Sequence, residues 1–436
     1  MGDFIVTRAK ELIKQRYYKP LKDEPELFVG IELEYPVVNL SGNATDVSLT
    51  KQLFVYLLDN FDFHADKFDS DNNPIQLIDQ VSDDMILFEV SYNTIEFAFA
   101  KASRISEVEE RLGTYLSMIQ PYLRDHNHEL QGWGVNPNWA KNDNRPVKSP
   151  RYEMLMDFLE LSKAKNDSFF HDYPEYGSFI CGSQVQLDVS KTSYLRVLNA
   201  FNQIEGPKAV LLANSEFWGS DWDLALSRDI FWENSMHGVF EENAGVFPKV
   251  FKNEDDYFSY LSETAIFTAK RGEETYYFEP VRAKDYLRRP YIEARSIQGK
   301  VTTIVPNEED FKSHRSYQFQ DLTTRGTVEF RSVCTQPFSA TFAPAALHLG
   351  LLVNLETLES ILNDTPLFEV FDYDYPRIRR LFSKKKISKS DFKLILPLTE
   401  ALLNCAEDGL KNRGFGEEVY LVPLQERLAT LKGCLD

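Results

Sequence analysis

Four separate stretches of the chain set acidic or amide side chains on alternate residues with apolar side chains between them. They are Val29-Gly30-Ile31-Glu32-Leu33-Glu34-Tyr35, Leu87-Phe88-Glu89 with Ile95-Glu96-Phe97, Ser183-Gln184-Val185-Gln186-Leu187-Asp188, and Thr327-Val328-Glu329-Phe330-Arg331. Side chains of a strand alternate between its two faces, so each stretch makes one apolar face and one charged face. An ordinary half-exposed sheet mixes Lys, Thr and Ser on its wet side. Here the recurring groups are hard oxygen donors with one arginine, a set that suits divalent metal and phosphate.

The spacing sharpens this. Glu32 and Glu34 leave the same strand face roughly 6–7 Å apart. Glu89 and Glu96 flank Ser91-Tyr92-Asn93, a turn-like stretch that delivers both to one cavity through a hairpin or a bulge. Glu329 and Arg331 again share a face. Carboxylates converging in this way cannot all stay ionised without counter-charge, and Mg²⁺, with its octahedral oxygen coordination, is the natural counter-ion. Arg331 then stands where a transferring phosphoryl group needs a cationic donor. No phosphate loop of the Gly-x-x-x-x-Gly-Lys type and no strand-linked Gly-x-Gly-x-x-Gly occurs, so any ATP must be held by metal and side chains. The 7 histidines form no metal-ligand spacing, and serine or cysteine nucleophile signatures are absent.

A chain of 436 residues, 43% of them hydrophobic, can bury a large core. Its net charge of -19 disfavours nucleic acid or an anionic membrane as a general partner. No apolar run reaches the roughly 18 residues of a membrane span, and Met1-Gly2-Asp3-Phe4 does not open a signal peptide. Cys181, Cys334, Cys405 and Cys434 are scattered without paired spacing, the pattern of reduced cytoplasmic thiols.

Element by element, the sequence predicts helices over about 3–17 and 48–60, a polar Asp/Asn-rich loop over 62–84, and then the Glu89 and Glu96 strands. A helix opened by a Ser106–Glu109 capping box continues through Val108, Leu112, Leu116, Ile119 and Leu123. Residues 136–150 read as a loop, followed by a helix from about 151, the Gln184/Gln186 strand and one helix over about 192–213. A mixed aromatic-rich segment over 216–300, the Glu329/Arg331 strand and helices from about 341 complete the chain. This is an α+β pattern, with a mostly antiparallel sheet whose charged face lines a cavity. No linker-like composition divides the chain, which gives a catalytic core over 1–340 and a helical section over 341–436 packed on the same unit.

These residues resemble the glutamate–cysteine ligases, specifically the branch of plants and many bacteria. The resemblance runs in order along nearly the whole chain. Gly30-Ile31-Glu32-Leu33-Glu34 looks like the family's first metal-binding strand, with Glu89 and Glu96 at its second pair of carboxylates. Gly132-Trp133-Gly134 with Pro137, then Pro150-Arg151-Tyr152 before Met154-Leu155-Met156, resemble its loop and arginine-tyrosine helix. Gln184 to Asp188, Leu212 to Phe217, Ser227 to Trp232, Glu329-Phe330-Arg331 and Ala406 to Phe415 continue the same series.

The resemblance implies a curved antiparallel sheet forming a funnel, related to glutamine synthetase and flanked by helices. It implies ATP-dependent formation of γ-glutamylcysteine from L-glutamate and L-cysteine through a γ-glutamyl phosphate, with ATP as co-substrate and Mg²⁺ on Glu32, Glu34, Glu89, Glu96, Gln186 and Glu329. Arg331 would stabilise the transferring phosphoryl group, Arg228 would hold the glutamate α-carboxylate or phosphate, Arg151 would assist, and Gln184 would either contact substrate or support a residue that does. Gln186 stands where relatives carry His or Asn, and the interval from Glu89 to Glu96 is one residue longer than in the plant-type branch. Val333-Cys334-Thr335 stands where relatives often place an aspartate. The acceptor therefore stays open between cysteine and another small amine. A non-catalytic paralogue that binds nucleotide or glutamate is the alternative from another class, although all five carboxylates are kept.

Overall fold

Strand β1 (Val29–Asn39) is the spine of a nine-stranded, open antiparallel sheet in this computed structural model, which describes residues 2–165 and 167–433. Cys434 lies outside the described residues. Along β1, Ile31, Leu33, Tyr35 and Val37 are essentially fully buried, each worth ~2 kcal/mol of hydrophobic stabilisation. Glu32 and Glu34 point the other way, as the alternation predicts.

The remaining strands of this sheet include β2 (Phe63–Phe68), β3 (Pro74–Asp79), β4 (Met85–Phe88), β5 (Thr94–Ala98), β6 (His128–Leu130) and β7 (Ser183–Asp188). The hairpin arms Gln320–Leu322 and Thr327–Phe330 complete it. The spatial order is 320–322, 327–330, β7, β1, β5, β4, β3, β2, with β6 pairing to the far end of β1. A second, four-stranded antiparallel sheet is built from Ala265–Arg271, Glu274–Arg282, Ile292–Ser296 and Val301–Ile304.

The polar loop expected over 62–84 is instead the β2–β3 hairpin. Only its tip is loop: Asp69 accepts hydrogen bonds from the Asp71 and Asn73 amides, and this turn carries the Asp/Asn bias that dominates the segment's composition. β3 buries Ile75 and Leu77, while β2 is an edge strand that exposes Asp66 and Lys67, charges that discourage further strand pairing.

Among the helices, α1 (Gly2–Tyr18) and α2 (Val47–Asn60) match expectation, and Asp46 caps α2 by accepting from the Ser48 and Leu49 amides. Helix α3 (Ile105–Asp125) starts one residue before Ser106, so the expected capping box does not form. Its first amide, that of Ile105, donates to the buried Glu417 carboxylate (2.9 Å), which places an anion at the positive end of the helix. After α4 (Pro150–Glu160), the single helix expected over 192–213 is two, α5 (Tyr194–Gln203) and α6 (Glu205–Leu212). Pro207 accounts for the break: it has no N–H for the Gln203 carbonyl, and its ring collides with that carbonyl in a continuous helix. A short helix, α7 (Arg228–Glu233), follows.

The C-terminal helices, from Ala343–Val353 through Tyr375–Phe382 and Lys389–Arg413 to Val422–Gly433, bury their apolar residues in the same core as the sheet, a cluster that runs from Ala9 to Leu428. A second, aromatic cluster gathers Phe158, Tyr176, Phe179, Phe217, Phe231, Phe267 and Tyr317. No single helix among the described residues is long and apolar enough to cross a membrane.

Candidate active site

The sheet register aligns the predicted polar residues in rows. Glu329 faces Gln186, which faces Gly30, and Asp321 extends that row on its outer side. Glu32 faces Gln184, and Glu34 faces Glu96. Glu89 follows β4 on the face of Leu87, the register partner of Glu96, so the β4–β5 hairpin delivers both carboxylates to one side. Val90 adopts a positive φ of 56° at the start of the connection. Above this floor is a cavity of ≈ 720 Å³ lined by Glu32, Glu34, Glu89, Glu96, Glu329, Gln184, Arg151, Arg228 and Arg331.

Gln186 is the predicted residue that does not line the cavity. It lies within the floor, where its amide nitrogen donates to Glu32 (3.1 Å) and Glu329 (2.8 Å). Gly30 makes this reach possible, since a Cβ there would stand 3.2 Å from the Gln186 Cβ. Gln184 donates to Glu34 (3.3 Å) and accepts from Arg331 (3.3 Å), and Glu34 also receives the Gly182 amide at 2.5 Å. Arg331 is ion-paired to Glu329.

Arg228 is clamped from behind. Its Nη1 donates to the carbonyls of Arg331 (3.2 Å) and Val333 (3.0 Å), while its buried Nε has no hydrogen-bond partner. Its guanidinium packs on Gly182, where a Cβ would come within 2.5 Å of Nη2. Arg151, in the first turn of α4, has no carboxylate partner among the described residues and lies 5.3 Å over the Tyr152 ring. The Tyr152 hydroxyl donates to Glu89 at 2.6 Å.

Burial raises the acid affinity of this floor. Desolvation, then repulsion from Glu329, pushes Glu32 up to about 7. Desolvation likewise pushes Glu34 up to about 7 against the pull of Arg228. Glu96 is held well above the usual carboxylate range by desolvation and then by Glu89, with which it shares a hydrogen bond. A site that strains against its own negative charge in this way is one a bound cation relieves.

Asp321 and Arg325 escaped the sequence reading. Asp321 lines the cavity with Arg331 Nε 3.9 Å away, and burial pushes its carboxyl up to about 6. Arg325 sits on the turn of the same hairpin. The available signal was the Thr323-Thr324-Arg325-Gly326 turn before the Glu329 strand, which implies a partner strand ending near Leu322. A wall of Phe158, Trp232, Phe267, Tyr277 and Tyr317 lines the other side of the cavity.

The donors have the chemistry of a magnesium site: carboxylate oxygens, with charge that needs neutralising. Among the described residues, no three His, Cys, Asp or Glu side chains are gathered closely enough to hold a metal ion without moving. Donor type fits; closure requires side-chain rotation.

The model of glutamate-cysteine ligase family 2 matches residues 28–434. Chloroplastic glutamate–cysteine ligases are similar to the chain: that of Solanum lycopersicum is 21% identical over 350 residues, 77% of this chain and 61% of the relative. The enzyme of Arabidopsis thaliana is 20% identical over 362 residues, 77% and 62% of the two chains. The chain thus spans about three fifths of the length of these relatives. The fold is similar to a crystal structure of glutamate–cysteine ligase from Francisella tularensis in complex with AMP, with a TM-score of 0.50 and 13% identity over 94% of this chain and 83% of that one. With the family model matched over nearly its full length, the chain belongs to glutamate-cysteine ligase family 2.

Proposed function

We propose that this protein is an ATP-dependent ligase that joins the γ-carboxylate of L-glutamate to the amino group of L-cysteine, the first step of glutathione synthesis. The observation that carries this reading is the convergence of Glu32, Glu34, Glu89, Glu96 and Glu329 with Arg151, Arg228 and Arg331 on one cavity, in a chain of this family. AMP in the Francisella neighbour supports nucleotide binding, and the aromatic wall offers flat apolar surface for a base. We assign the catalytic core to residues 1–340 and the helical section to 341–436, whose described helices pack on the same core. The unpaired thiols of Cys181, Cys334 and Cys405 suit a cytoplasmic setting, whereas the plant relatives are named as chloroplastic.

Glu32, Glu34, Glu89, Glu96 and Glu329 would hold magnesium, with the Gln186 side-chain oxygen as a further donor. When bound, magnesium supplies charge neutralisation for the triphosphate and for the carboxylates. Arg331, fixed by Glu329 and Gln184, donates to the γ-phosphoryl group as a glutamate carboxylate oxygen attacks phosphorus and ADP departs. Arg228 keeps the glutamate α-carboxylate, or the phosphate, at a set position through its backbone clamp. Arg151 adds positive charge at the rim. The amine then attacks the acyl carbon, loses a proton and expels phosphate, which leaves with one carboxylate oxygen. Alignment and electrostatics carry the rate, since no covalent enzyme intermediate is needed.

One observation favours keeping a second acceptor in view. In the stretch Val333-Cys334-Thr335, where the resemblance leads one to expect an aspartate, Cys334 is buried, donates to Ser215 at 3.1 Å and does not line the cavity, so this segment offers the amine no carboxylate. The test is incubation with ATP, Mg²⁺ and glutamate while amino acids are supplied singly, with products identified by mass. γ-Glutamylcysteine is expected. ADP release with a different acceptor keeps the chemistry and replaces cysteine, and no ADP release with any acceptor leaves the non-catalytic alternative.

A further inference from the structure

Glu329 and Gln186 hold a cation of the protein's own. Arg325, on the turn Thr323–Thr327, donates from Nη2 to the Gln186 side-chain oxygen at 2.7 Å and stands 3.7 Å from Glu329 Oε1. Gln186 cannot be reversed without facing its oxygen toward Glu32 and Glu329 and its N–H groups toward a guanidinium, so its partners fix its orientation. The side-chain oxygen that Gln186 could give a metal is therefore occupied by Arg325, whose charge also lies close to Glu329 Oε1.

The two arginines flanking Glu329 differ in how firmly they are held. Arg331 is 17% exposed, ion-paired to Glu329 and bonded to Gln184, whereas Arg325 is 62% exposed. An exposed arginine pair of this kind is worth ~1 kcal/mol or less, so a divalent cation can displace it. The displaced guanidinium stays at the cavity mouth, which Arg325 already lines, where a polyphosphate enters.

We propose that Arg325 is a switching counter-cation: it competes with the divalent cation for Gln186 and Glu329, and once displaced it binds the nucleotide phosphates. This rests on the metal-dependent ligase reading above. Removing its charge therefore has effects of opposite sign on metal and nucleotide.

The experiment measures Mn²⁺ binding by electron paramagnetic resonance in the nucleotide-free protein, together with the KM for ATP at saturating Mg²⁺. Wild type, Arg325→Gln, Arg325→Lys and Glu329→Gln are compared. Arg325→Gln is expected to bind Mn²⁺ ~5-fold tighter, the equivalent of ~1 kcal/mol, and to raise the KM for ATP by a similar factor. Arg325→Lys, which keeps the charge, returns both values toward wild type. Unchanged or weaker Mn²⁺ binding in Arg325→Gln, while Glu329→Gln weakens it, overturns the competition but leaves the metal reading standing. Tighter Mn²⁺ binding with an unchanged KM for ATP overturns the phosphate contact. A wild-type protein that binds no Mn²⁺ overturns the metal reading and this inference with it.

Discussion

Arg379 and Asp229 form a buried two-point ion pair, Nε to Oδ2 at 2.7 Å and Nη2 to Oδ1 at 3.2 Å. It adjoins the cavity's arginines, and Asp229 itself lines the cavity. Asp229 follows Arg228 in sequence, and Arg379 also donates to the carbonyl of Ser332, the residue after Arg331, at 3.2 Å. A further bond, to the Glu205 carbonyl at 2.9 Å, ties in α6, whose Glu205 pairs with the buried Lys208. The helix Tyr375–Phe382 thus reaches from the C-terminal section to set the backbone that carries both site arginines.

Replacing Arg379 by Met leaves Asp229 and Glu205 short of a cation in a water-free setting. Breaking a buried pair in this way costs ~3–5 kcal/mol, and Arg379→Lys should lose less because the charge stays. Urea unfolding midpoints check this, and an Arg379→Met protein as stable as wild type would contradict it.

Gly182→Ala tests the seat of Arg228. The added Cβ would stand 2.5 Å from Nη2 and 2.9 Å from Cζ, so the guanidinium must leave the Val333 and Arg331 carbonyls. Overpacking of this kind costs ~1–3 kcal/mol of stability, which a chain of this size can absorb. Displacement by about 1 Å at a substrate-positioning group costs up to ~100-fold in rate. A folded variant with kcat/KM reduced at least tenfold is expected, and unchanged kcat/KM would remove Arg228 from the site.

Much of the site could be read in the sequence because it lies on strands. Glu32, Glu34, Gln184, Gln186 and Glu329 alternate with buried apolar residues, and alternation has one structural meaning. Asp321 and Arg325 were missed because their hairpin arm is only Gln320–Leu322, too short for a periodic signal. The orientation of Gln186 follows from three neighbours on three different segments, which no local pattern encodes. The β2–β3 hairpin was hidden by its Asp/Asn-rich tip, and the division of α5 from α6 was written in Pro207 but outweighed by the surrounding apolar period.

That tip makes its own prediction. Asp69, its side chain fully buried, is desolvated, yet it accepts from Tyr92 (2.6 Å) and the Asn73 amide (2.8 Å) and pairs with Lys51 (3.3 Å). Desolvation acts to raise its pKa, and these bonds together outweigh it, holding the carboxyl at about 2. A depressed carboxyl stabilises the fold above its unfolded pKa of about 3.9, and that stability disappears as pH falls from about 4 to about 2. Holding the carboxyl that low corresponds to ~2–3 kcal/mol. Asp69→Asn should lack this contribution, so its stability deficit relative to wild type shrinks between pH 5 and pH 2.5. Parallel stability curves would contradict the assignment.

In the proposed reaction the γ-carboxylate of glutamate is phosphorylated before the amine attacks. Glutamate labelled with ¹⁸O in that carboxylate, incubated with the protein, ATP, Mg²⁺ and cysteine, tests it most directly. Transfer through γ-glutamyl phosphate moves one labelled oxygen into each phosphate released, which mass spectrometry of the phosphate detects. Amide product accompanied by unlabelled phosphate would contradict the account.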